Sequence, residues 1–221
     1  MSSRSPKLAL FAQFAAVAKS LAHAHRLELL EQLAQGERSV EVLAERTGLS
    51  VANASQHLQQ MRGAGMLAAR RDGKFVYYRL ADSAVLDAMA ALRQIAERNV
   101  AEVERTALGY FTGRDSQRPT SRRDLTEMMR VGTATALDVR PADEFALGHV
   151  AGAVNIPLRE LEARLGELNS TRRIVAYCRG PYCMLAYEAV ALLRARGFCA
   201  RRLEDGLPEW RAAGLPVVTG A

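Results

Sequence analysis

The apolar residues change their spacing near residue 113, and this change constrains the fold more than any other feature of the chain. Before it, apolar residues recur at helical spacing, and proline is almost absent after Pro6. A polar stretch over 113–120 contains glycine and proline, and beyond it short β-branched runs alternate with helical patterns. We therefore predict a mostly α-helical domain over 1–112 and an α/β domain over 121–221, joined by a linker over 113–120.

Composition argues against membrane-spanning and disulfide-rich proteins. No apolar run approaches the roughly eighteen residues that a membrane span needs, so we expect no membrane partner. The stretch Leu8–Leu21 carries Gln13 and Lys19 and continues into helix-like sequence, which indicates a first helix and not a secretory signal. Three cysteines, an odd number, indicate a reducing compartment and hence a cytoplasmic protein. The net charge of +6 permits a nucleic-acid partner without proving one.

Capping residues predict a helix-turn-helix between residues 39 and 62. Ser39 precedes a helical run over 40–46 that ends at Thr47-Gly48, and Ser50 precedes a second run over 51–62. Two β-prone runs, 66–71 and 75–80, then flank Asp72-Gly73, a strong signal for a two-residue hairpin. A helix-turn-helix followed by a basic hairpin predicts a winged helix.

A long helical pattern follows the hairpin, from Asp82 to about Tyr110. Nearly thirty residues would span about 43 Å as one helix. A small domain cannot bury both sides of so long a helix. We therefore expect it to pack against a second copy of the chain.

The second helix of the motif is expected to lie in the major groove of double-stranded DNA. Its polar side chains are uncharged, which suits base recognition because Asn and Gln pair bidentately with adenine. The candidates for base contacts are Ser50, Asn53, Ser55, Gln56, His57, Gln59 and Gln60. The further candidates, mainly for phosphate contacts, are Arg62, Arg70, Arg71, Lys74, Tyr78 and Arg79. For any one of these residues, an ordinary solvated surface position is an equal alternative.

These segments resemble the ArsR family of winged-helix repressors over about residues 8–105. The matching segments are 19–30, 49–58, 65–67 and 71–80. The resemblance implies a homodimer, paired through the first helix and the helix over 82–110, that releases operator DNA when an inducer binds. Many members sense metal through a Cys-x-Cys pair or through Asp and His on the last helix. Here Ser39–Glu45 has no cysteine, the last helix has no histidine, and His23 and His25 diverge on a helix, so we predict no metal site and no cofactor.

In the second half, a loop that begins at Cys178 joins a predicted strand over 173–177 to a predicted helix over 185–197. Backbone N–H groups and the positive end of the helix point into the mouth of such a loop. A cysteine at its first position is therefore expected to be a nucleophilic thiolate with a depressed pKa. Arg179 adds positive charge beside it.

The segments around this loop resemble the rhodaneses over about residues 120–221. The matching segments are 137–140, 144–158, 174–180 and 203–216. The resemblance implies a central parallel sheet and a Cys178 that accepts sulfane sulfur as a persulfide, from thiosulfate, polysulfide or another persulfide. Asp138, Arg140, Glu144 and His149 are predicted to hold this domain together.

One loop position departs from the rhodanese pattern. Thiosulfate-using members usually carry Arg at the sixth loop position, where this chain has Cys183, so efficient thiosulfate turnover is not expected. Two cysteines in one loop offer another chemistry, in which Cys178 takes up sulfur and Cys183 resolves it. A small buried residue in the first helical turn is an equal alternative for Cys183. Cys199, on a short predicted strand over 198–203, is expected to be a core thiol.

Two functions remain open from the sequence. The first is a homodimeric transcriptional repressor whose rhodanese domain senses reactive sulfur. The second is a sulfurtransferase whose DNA-binding half only regulates its own synthesis. Capture of trivalent arsenic by Cys178 and Cys183 is a weaker third alternative, because only two thiols lie close in sequence.

Overall fold

The computed structural model describes residues 5–111 and 117–220, which pack as two compact units that divide between Ala91 and Leu92. This packing boundary lies inside a helix, earlier than the change in sequence pattern near residue 113, and the domain limits drawn from the sequence stay a prediction. In the first half of the chain the elements are α1 (Pro6–Leu21), α2 (Ala24–Ala34), β1 (Arg38–Ser39), α3 (Val40–Thr47), α4 (Val51–Gly63), β2 (Leu67–Asp72), β3 (Phe75–Leu80), α5 (Ala84–Asn99) and α6 (Ala101–Phe111).

The predicted caps form the turn between α3 and α4. Ser39 Oγ accepts a hydrogen bond from the Val42 N–H at 3.4 Å, and Ser50 Oγ accepts one from the Asn53 N–H at 3.2 Å. Between the two helices Gly48 adopts a left-handed conformation with φ of 65°, which glycine takes without steric cost. The helix-turn-helix therefore has the boundaries that its polar residues indicated.

The hairpin closes the winged helix, with one difference in its turn. Asp72 pairs with Phe75, so the two-residue loop is Gly73-Lys74, one residue later than predicted. Gly73 has a φ of 57°, and the turn therefore forms where glycine can supply a positive φ. The sheet has the strand order β1-β3-β2. It covers a core in which six described side chains are fully buried: Leu29, Leu30, Leu43, Ala54, Leu58 and Met61.

The long helix predicted over 82–110 is two helices, α5 and α6, separated at Val100. The Asn99 side-chain amide donates to the Ile95 carbonyl oxygen at 2.9 Å, in competition with the backbone ladder. The next residue, Val100, is β-branched and a weak helix former. The apolar periodicity runs through this break, and spacing alone therefore did not reveal it.

The rest of the chain is an α/β fold. Its elements are α7 (Arg122–Arg130), β4 (Ala134–Asp138), α8 (Ala142–Leu147), β5 (His149–Val150), β6 (Val154–Asn155), α9 (Leu158–Leu161), a 3₁₀ turn (Leu165–Glu167), β7 (Arg173–Tyr177), α10 (Met184–Ala195), β8 (Ala200–Arg202), α11 (Leu207–Ala212) and β9 (Val217–Val218). Four strands form a parallel sheet in the order β6-β4-β7-β8, and β5 pairs antiparallel with β9. The predicted α/β fold class is confirmed.

Both faces of the parallel sheet are covered, and β7 contributes to both. Ile174 and Ala176 belong to one apolar core, and Val175 and Tyr177 to another, because successive side chains of a strand alternate between faces. Cys178 continues the face of Ile174 and Ala176, which also packs against α10. Across residues 5–111 and 117–220, no helix is both long and apolar enough to cross a bilayer.

Candidate functional site

The cysteine loop, residues 178–183, connects the carboxyl end of β7 to α10. Its backbone is held internally and from outside: the Cys183 N–H donates to the Gly180 carbonyl oxygen at 3.2 Å, and the Leu207 N–H donates to the Cys178 carbonyl oxygen at 3.1 Å. The Cys178 Sγ lies 3.8 Å from the Gly180 oxygen and 3.5 Å from the Cys183 oxygen. The carboxyl end of a parallel strand is the usual place for a ligand site in an open α/β sheet.

The two loop thiols interact with each other and with the surrounding amides. Cys178 is 1% exposed and Cys183 is 9% exposed. Nearby backbone amides, those of Gly180 and Ala186 at Cys178 and those of Arg179 and Leu185 at Cys183, act to lower the pKa of the two thiols. The loop therefore surrounds both sulfur atoms with N–H donors, which stabilise a negative charge on sulfur.

The pKa of Cys178 shifts in the direction opposite to the prediction. Burial raises the pKa of Cys178 well above its ordinary value and outweighs the backbone N–H donors. A hydrogen bond from the Cys178 thiol lowers the pKa of Cys183 to about 7, and backbone donors and Arg179 lower it further. The pair thus shares one proton near neutral pH, with the negative charge on Cys183.

Arg179 is tied to a buried carboxylate. Its Nε lies 3.0 Å from Glu144 Oε2, and its Nη2 lies 2.6 Å from Glu144 Oε1. Glu144 is completely buried. Burial by itself would lower the pKa of Arg179, but the bond to Glu144 holds it above its ordinary value. Arg179 therefore stays charged beside the loop while its guanidinium is fixed on Glu144.

A second buried ion pair lies under the same end of the sheet. Arg140 and Asp138 both have fully buried side chains, and Arg140 Nη2 lies 2.5 Å from Asp138 Oδ2. The same nitrogen donates to the Gly148 carbonyl oxygen at 2.8 Å. His149 contacts the Phe145 carbonyl oxygen through Nδ1 at 2.9 Å. The structural role of Asp138, Arg140, Glu144 and His149 stays a prediction, and these contacts are the ones through which it would act.

Gly206 supports the cysteine loop and was not singled out from the sequence. A β-carbon at Gly206 would lie 2.4 Å from the Arg179 carbonyl carbon and 2.4 Å from the Gly180 nitrogen. Only glycine allows this approach to the loop backbone. The residue lies in the rhodanese-like segment 203–216, but a sequence pattern does not show which backbone a glycine approaches.

The prediction that Cys199 is a core thiol is wrong. It precedes β8 and is exposed. The predicted strand over 198–203 is shorter, Ala200–Arg202, which leaves Cys199 outside the sheet.

The recognition helix α4 presents most of its predicted base-reading side chains to solvent. Asn53, Gln56, Gln59 and Gln60 are exposed, and Ser55 and His57 are half-buried. Gln59 donates to Ser55 Oγ at 3.2 Å, and Gln60 Oε1 accepts from Arg26 at 3.1 Å. Ser50 is engaged as the helix cap, as described above.

Two predicted DNA contacts have different surroundings from the rest. The structure does not support Tyr78 as a DNA contact, because its side chain is only 3% exposed and lies within the apolar core. In β3 the alternate position, Tyr77, lies on the other face, with the Arg70 guanidinium 4.5 Å from its ring centre. His57 lies 4.5 Å from the ring centre of His23, and burial followed by the neighbouring His23 lowers its pKa.

The basic side chains of the hairpin are unequally paired. Arg70 bonds to Glu37 at 2.7 Å and to Asp72 at 3.2 Å. Arg71 donates to the Gly73 carbonyl oxygen at 3.2 Å, and the Lys74 ammonium lies 5.2 Å from the Phe75 ring centre. Arg62 and Arg79 are exposed. Arg70 is therefore partly neutralised by acids, whereas Arg71 bonds to a backbone carbonyl.

Within the described part of the chain, no group of three or more His, Cys, Asp or Glu side chains is arranged to hold a metal ion. The two loop cysteines do not form such a set. Neither do His23, His25 and His57, which lie near one another in the first half of the chain.

Comparison with known proteins places both halves of the chain in one kind of protein. The HTH-type transcriptional regulator Rv0324 of Mycobacterium tuberculosis is 43% identical over 97% of this chain and 94% of the relative. The chain belongs to the HTH-type transcriptional regulators. A helix-turn-helix domain model matches residues 21–70 of the present chain, which include α3 and α4. A rhodanese-like domain model matches residues 121–213, which include the cysteine loop. The predicted fusion of a winged helix-turn-helix domain with a rhodanese-like domain is confirmed.

Relatives of each half are found separately as well. A sulfurtransferase of Allochromatium vinosum is 31% identical over 37% of the regulator and 76% of the relative. The homodimeric winged helix-turn-helix DNA-binding domain Mb0332 of Mycobacterium bovis, a fragment of residues 1–100, is 40% identical. Its structure covers 45% of the regulator and 94% of that fragment, with a TM-score of 0.41.

Proposed function

We propose that this regulator is a homodimeric repressor that releases operator DNA when its cysteine loop takes up sulfane sulfur. The observation that carries the proposal is a pair of buried cysteines in one loop, with Cys178 Sγ 3.5 Å from the Cys183 carbonyl oxygen, in a chain that combines a helix-turn-helix domain with a rhodanese-like domain. The sulfur donor is a small persulfide or polysulfide. The domain limits 1–112 and 121–221, with a linker over 113–120, are part of the proposal.

The low pKa of Cys183 gives that residue a role in sulfur uptake. Cys178 attacks the outer sulfur of a persulfide, RSSH, while its proton passes to the Cys183 thiolate along their hydrogen bond. The donor's S–S bond breaks and its electron pair leaves with RS⁻. The products are Cys178–SSH, Cys183–SH and RS⁻, which account for the four sulfur atoms, the two sulfur-bound hydrogens and the one negative charge of the reactants.

Resolution closes the loop. After Cys183 loses its proton to water, its thiolate attacks the inner sulfur of Cys178–SSH. The S–S bond of the persulfide breaks, hydrosulfide leaves with the electron pair, and a Cys178–Cys183 disulfide forms. The sulfane sulfur is the oxidant in this step. A dithiol such as dithiothreitol reduces the disulfide to the two starting thiols and is itself oxidised to a cyclic disulfide.

For DNA recognition, the proposal assigns base contacts to exposed residues at the beginning and middle of α4. Asn53 and Gln56 lie in its first two turns, where the recognition helix of a helix-turn-helix enters the major groove. Gln59 and Gln60 extend this polar face. Arg62, Arg71, Lys74 and Arg79 are proposed phosphate contacts, with Arg70 weaker because acids partly neutralise it.

The dimer is proposed to form through α1 and α5. Four apolar side chains of α1 are more than half exposed: Leu8, Leu10, Phe11 and Phe14. Ile95 of α5 is also more than half exposed. Exposed apolar patches of this kind mark association sites, and a second copy of the chain is the partner that fits a DNA-binding helix-turn-helix.

A sulfurtransferase that only regulates its own synthesis is the second candidate. The intact amide environment of Cys178 favours it, since the same donors would stabilise the persulfide of a turnover cycle. Cys183 at the sixth loop position counts against thiosulfate as its substrate, because no arginine stands there to bind a doubly charged anion.

The experiment measures DNA binding of the full chain to the region upstream of its own gene by fluorescence anisotropy, before and after polysulfide and again after dithiothreitol. Wild-type protein is expected to release DNA on polysulfide treatment and to rebind after reduction. Cys178→Ser should bind DNA without responding, and Cys199→Ser, the matched control, should respond as wild type. Tight binding that polysulfide leaves unchanged, together with catalytic turnover of sulfane sulfur, would favour the second candidate.

A further inference from the structure

The second half of α5 contacts the cysteine loop through Tyr182, and both sides of this contact lie in the unit that begins at Leu92. The Tyr182 hydroxyl donates to Glu97 Oε1 at 2.6 Å. Burial, followed by this bond to Glu97, raises the pKa of Tyr182 to about 12, so the phenol remains a hydrogen-bond donor at physiological pH. Tyr182 immediately precedes Cys183, and a movement of Cys183 therefore moves the donor.

A second connection runs from α5 to the other side of the loop. Arg93 Nη1 lies 2.8 Å from Glu209 Oε1, and Glu209 Oε2 accepts from the Gly206 N–H at 3.0 Å. Gly206 in turn lies against the Arg179–Gly180 peptide with no room for a β-carbon. Because this approach is so close, a shift of the loop backbone displaces Gly206 and the carboxylate bonded to it.

The contact between Arg93 and Glu209 is more buried than an ordinary surface ion pair. The Arg93 and Glu209 side chains are only 25% and 20% exposed. Burial alone would lower the pKa of Arg93, but its bond to Glu209 raises it. Arg93 also lies 3.6 Å from Glu97 on its own helix, so the two residues form one charged patch, in which Glu97 contacts Tyr182 of the loop and Arg93 contacts Glu209.

The opposite side of α5 is apolar and exposed. Leu92 is 40% exposed and Ile95 is 61% exposed. At 3.6 residues per turn, this pair lies about 150° around the helix from Arg93 and Glu97. One side of the same two turns of helix thus binds the loop, and the other is free for a second copy of the chain.

We propose that α5 responds to the sulfur state of the cysteine loop through two contacts. Glu97 contacts Tyr182 of the loop, and Arg93 contacts Glu209, which is bonded to Gly206 beneath the loop. This inference rests on the proposed function and names the route by which the loop controls DNA binding. Closing the disulfide brings the two sulfur atoms to about 2.05 Å, closer than a thiol–thiolate hydrogen bond allows. Cys183 moves toward Cys178, the Tyr182–Glu97 bond is strained or broken, and α5 moves relative to the dimer partner.

The route does not require the linker over 113–120 to transmit a force. α5 directly follows the winged-helix hairpin in the chain, with only residues 81–83 between β3 and α5. A change in the position of α5 therefore alters the geometry of the dimer, and with it the spacing of the two recognition helices on DNA.

The test compares wild type with the double variant Arg93→Ala/Glu97→Ala in the full chain. Wild type should lose DNA affinity about 5–150-fold on polysulfide treatment, the range of ordinary allosteric coupling. The double variant should take up sulfur like wild type, but the ratio of its DNA affinities before and after treatment should fall to about one. Glu102→Ala, which removes an exposed i,i+3 partner of Arg105 on α6, is the control and should keep the wild-type ratio.

A full wild-type response in the double variant overturns the inference. Hydrogen exchange of wild-type protein gives a second result that needs no variant: amides of residues 92–99 should exchange faster once the disulfide closes. Unchanged exchange in that segment also overturns the inference. If polysulfide leaves wild-type DNA affinity unchanged, the proposed function fails, and the exchange result then decides separately whether the loop moves α5.

Discussion

The recognition helix and the cysteine loop are both polar, but they are held in opposite ways. On α4 the side chains of Asn53, Gln56 and Gln59 are exposed, and their environment is mostly solvent. In the cysteine loop Cys178 and the neighbouring Glu144 are buried, and each polar group has a defined partner. Single changes on α4 should therefore have small, roughly additive effects, whereas single changes at the loop should spread through shared partners.

Removing Arg140 should produce the largest effect. Arg140→Leu leaves the carboxylate of Asp138 buried and unpaired, which should lower the free energy of unfolding by about 3–5 kcal/mol. This change in the free energy of unfolding is measured by urea unfolding, which is monitored by the fluorescence of Trp210, the one tryptophan of the chain. Arg130→Leu breaks an exposed pair with Glu127 and should leave the midpoint unchanged. Equal midpoints for both variants would remove the contrast between buried and exposed groups.

Adding a β-carbon at Gly206 tests how far sulfur uptake depends on the position of the cysteine loop. Gly206→Ala forces the Arg179–Gly180 backbone to shift, and sulfur uptake by the loop should slow on the order of tenfold to a hundredfold. Gly166→Ala is the control, because its β-carbon meets nothing within 4 Å. Uptake is measured by intact mass after a timed polysulfide pulse. Wild-type kinetics in Gly206→Ala would show that the loop tolerates displacement.

The pH dependence of thiol alkylation tests the shared proton. Below pH of about 7 Cys183 is protonated, so its alkylation rate should rise with pH through about 7. Cys178→Ala removes the hydrogen bond that lowers this pKa, and the midpoint should move up toward the ordinary value of 9.0. At neutral pH this should slow alkylation about tenfold. The rates are measured by peptide mapping in a Cys199→Ser background, and a midpoint that stays near 7 in Cys178→Ala contradicts the pairing.

The smallest effects are expected on the hairpin. Arg71→Ala should weaken DNA binding a few-fold for all sequences and reduce the slope of log K against log salt concentration by about one. Arg70→Ala should do less, because Glu37 and Asp72 already neutralise much of its charge. Anisotropy titrations at several salt concentrations compare the two variants. A larger slope change for Arg70→Ala would mean that its acidic partners release it on DNA.

Most of the fold could be predicted from the sequence because its signals are local. Ser39 and Ser50 cap the helices they precede, and the strand before Cys178 and the helix after it lie where their patterns indicated. The break at Val100 was missed because apolar spacing continues through it. Tyr78 was misassigned because the inward face of β3 depends on its sheet partners.

The cysteine loop was predictable in position and not in electrostatics. The sequence indicates that Cys178 follows a strand, but the depth of its burial and the thiol bonded to it arise only in the folded domain. The contacts of Gly206 with the loop and of Glu97 with Tyr182 join residues far apart in the chain. No local pattern marks such pairs, and only the packing of the domain brings them together.

The most direct test of the account follows loop chemistry and DNA release in the same samples. Polysulfide is added in steps to the protein bound to its upstream DNA, and each step is divided between anisotropy and peptide mass analysis of residues 178–183. The fraction of DNA released should rise with the fraction of modified loop, and dithiothreitol should reverse both together. A fully modified loop with the DNA still bound would contradict the central claim that this loop controls DNA binding.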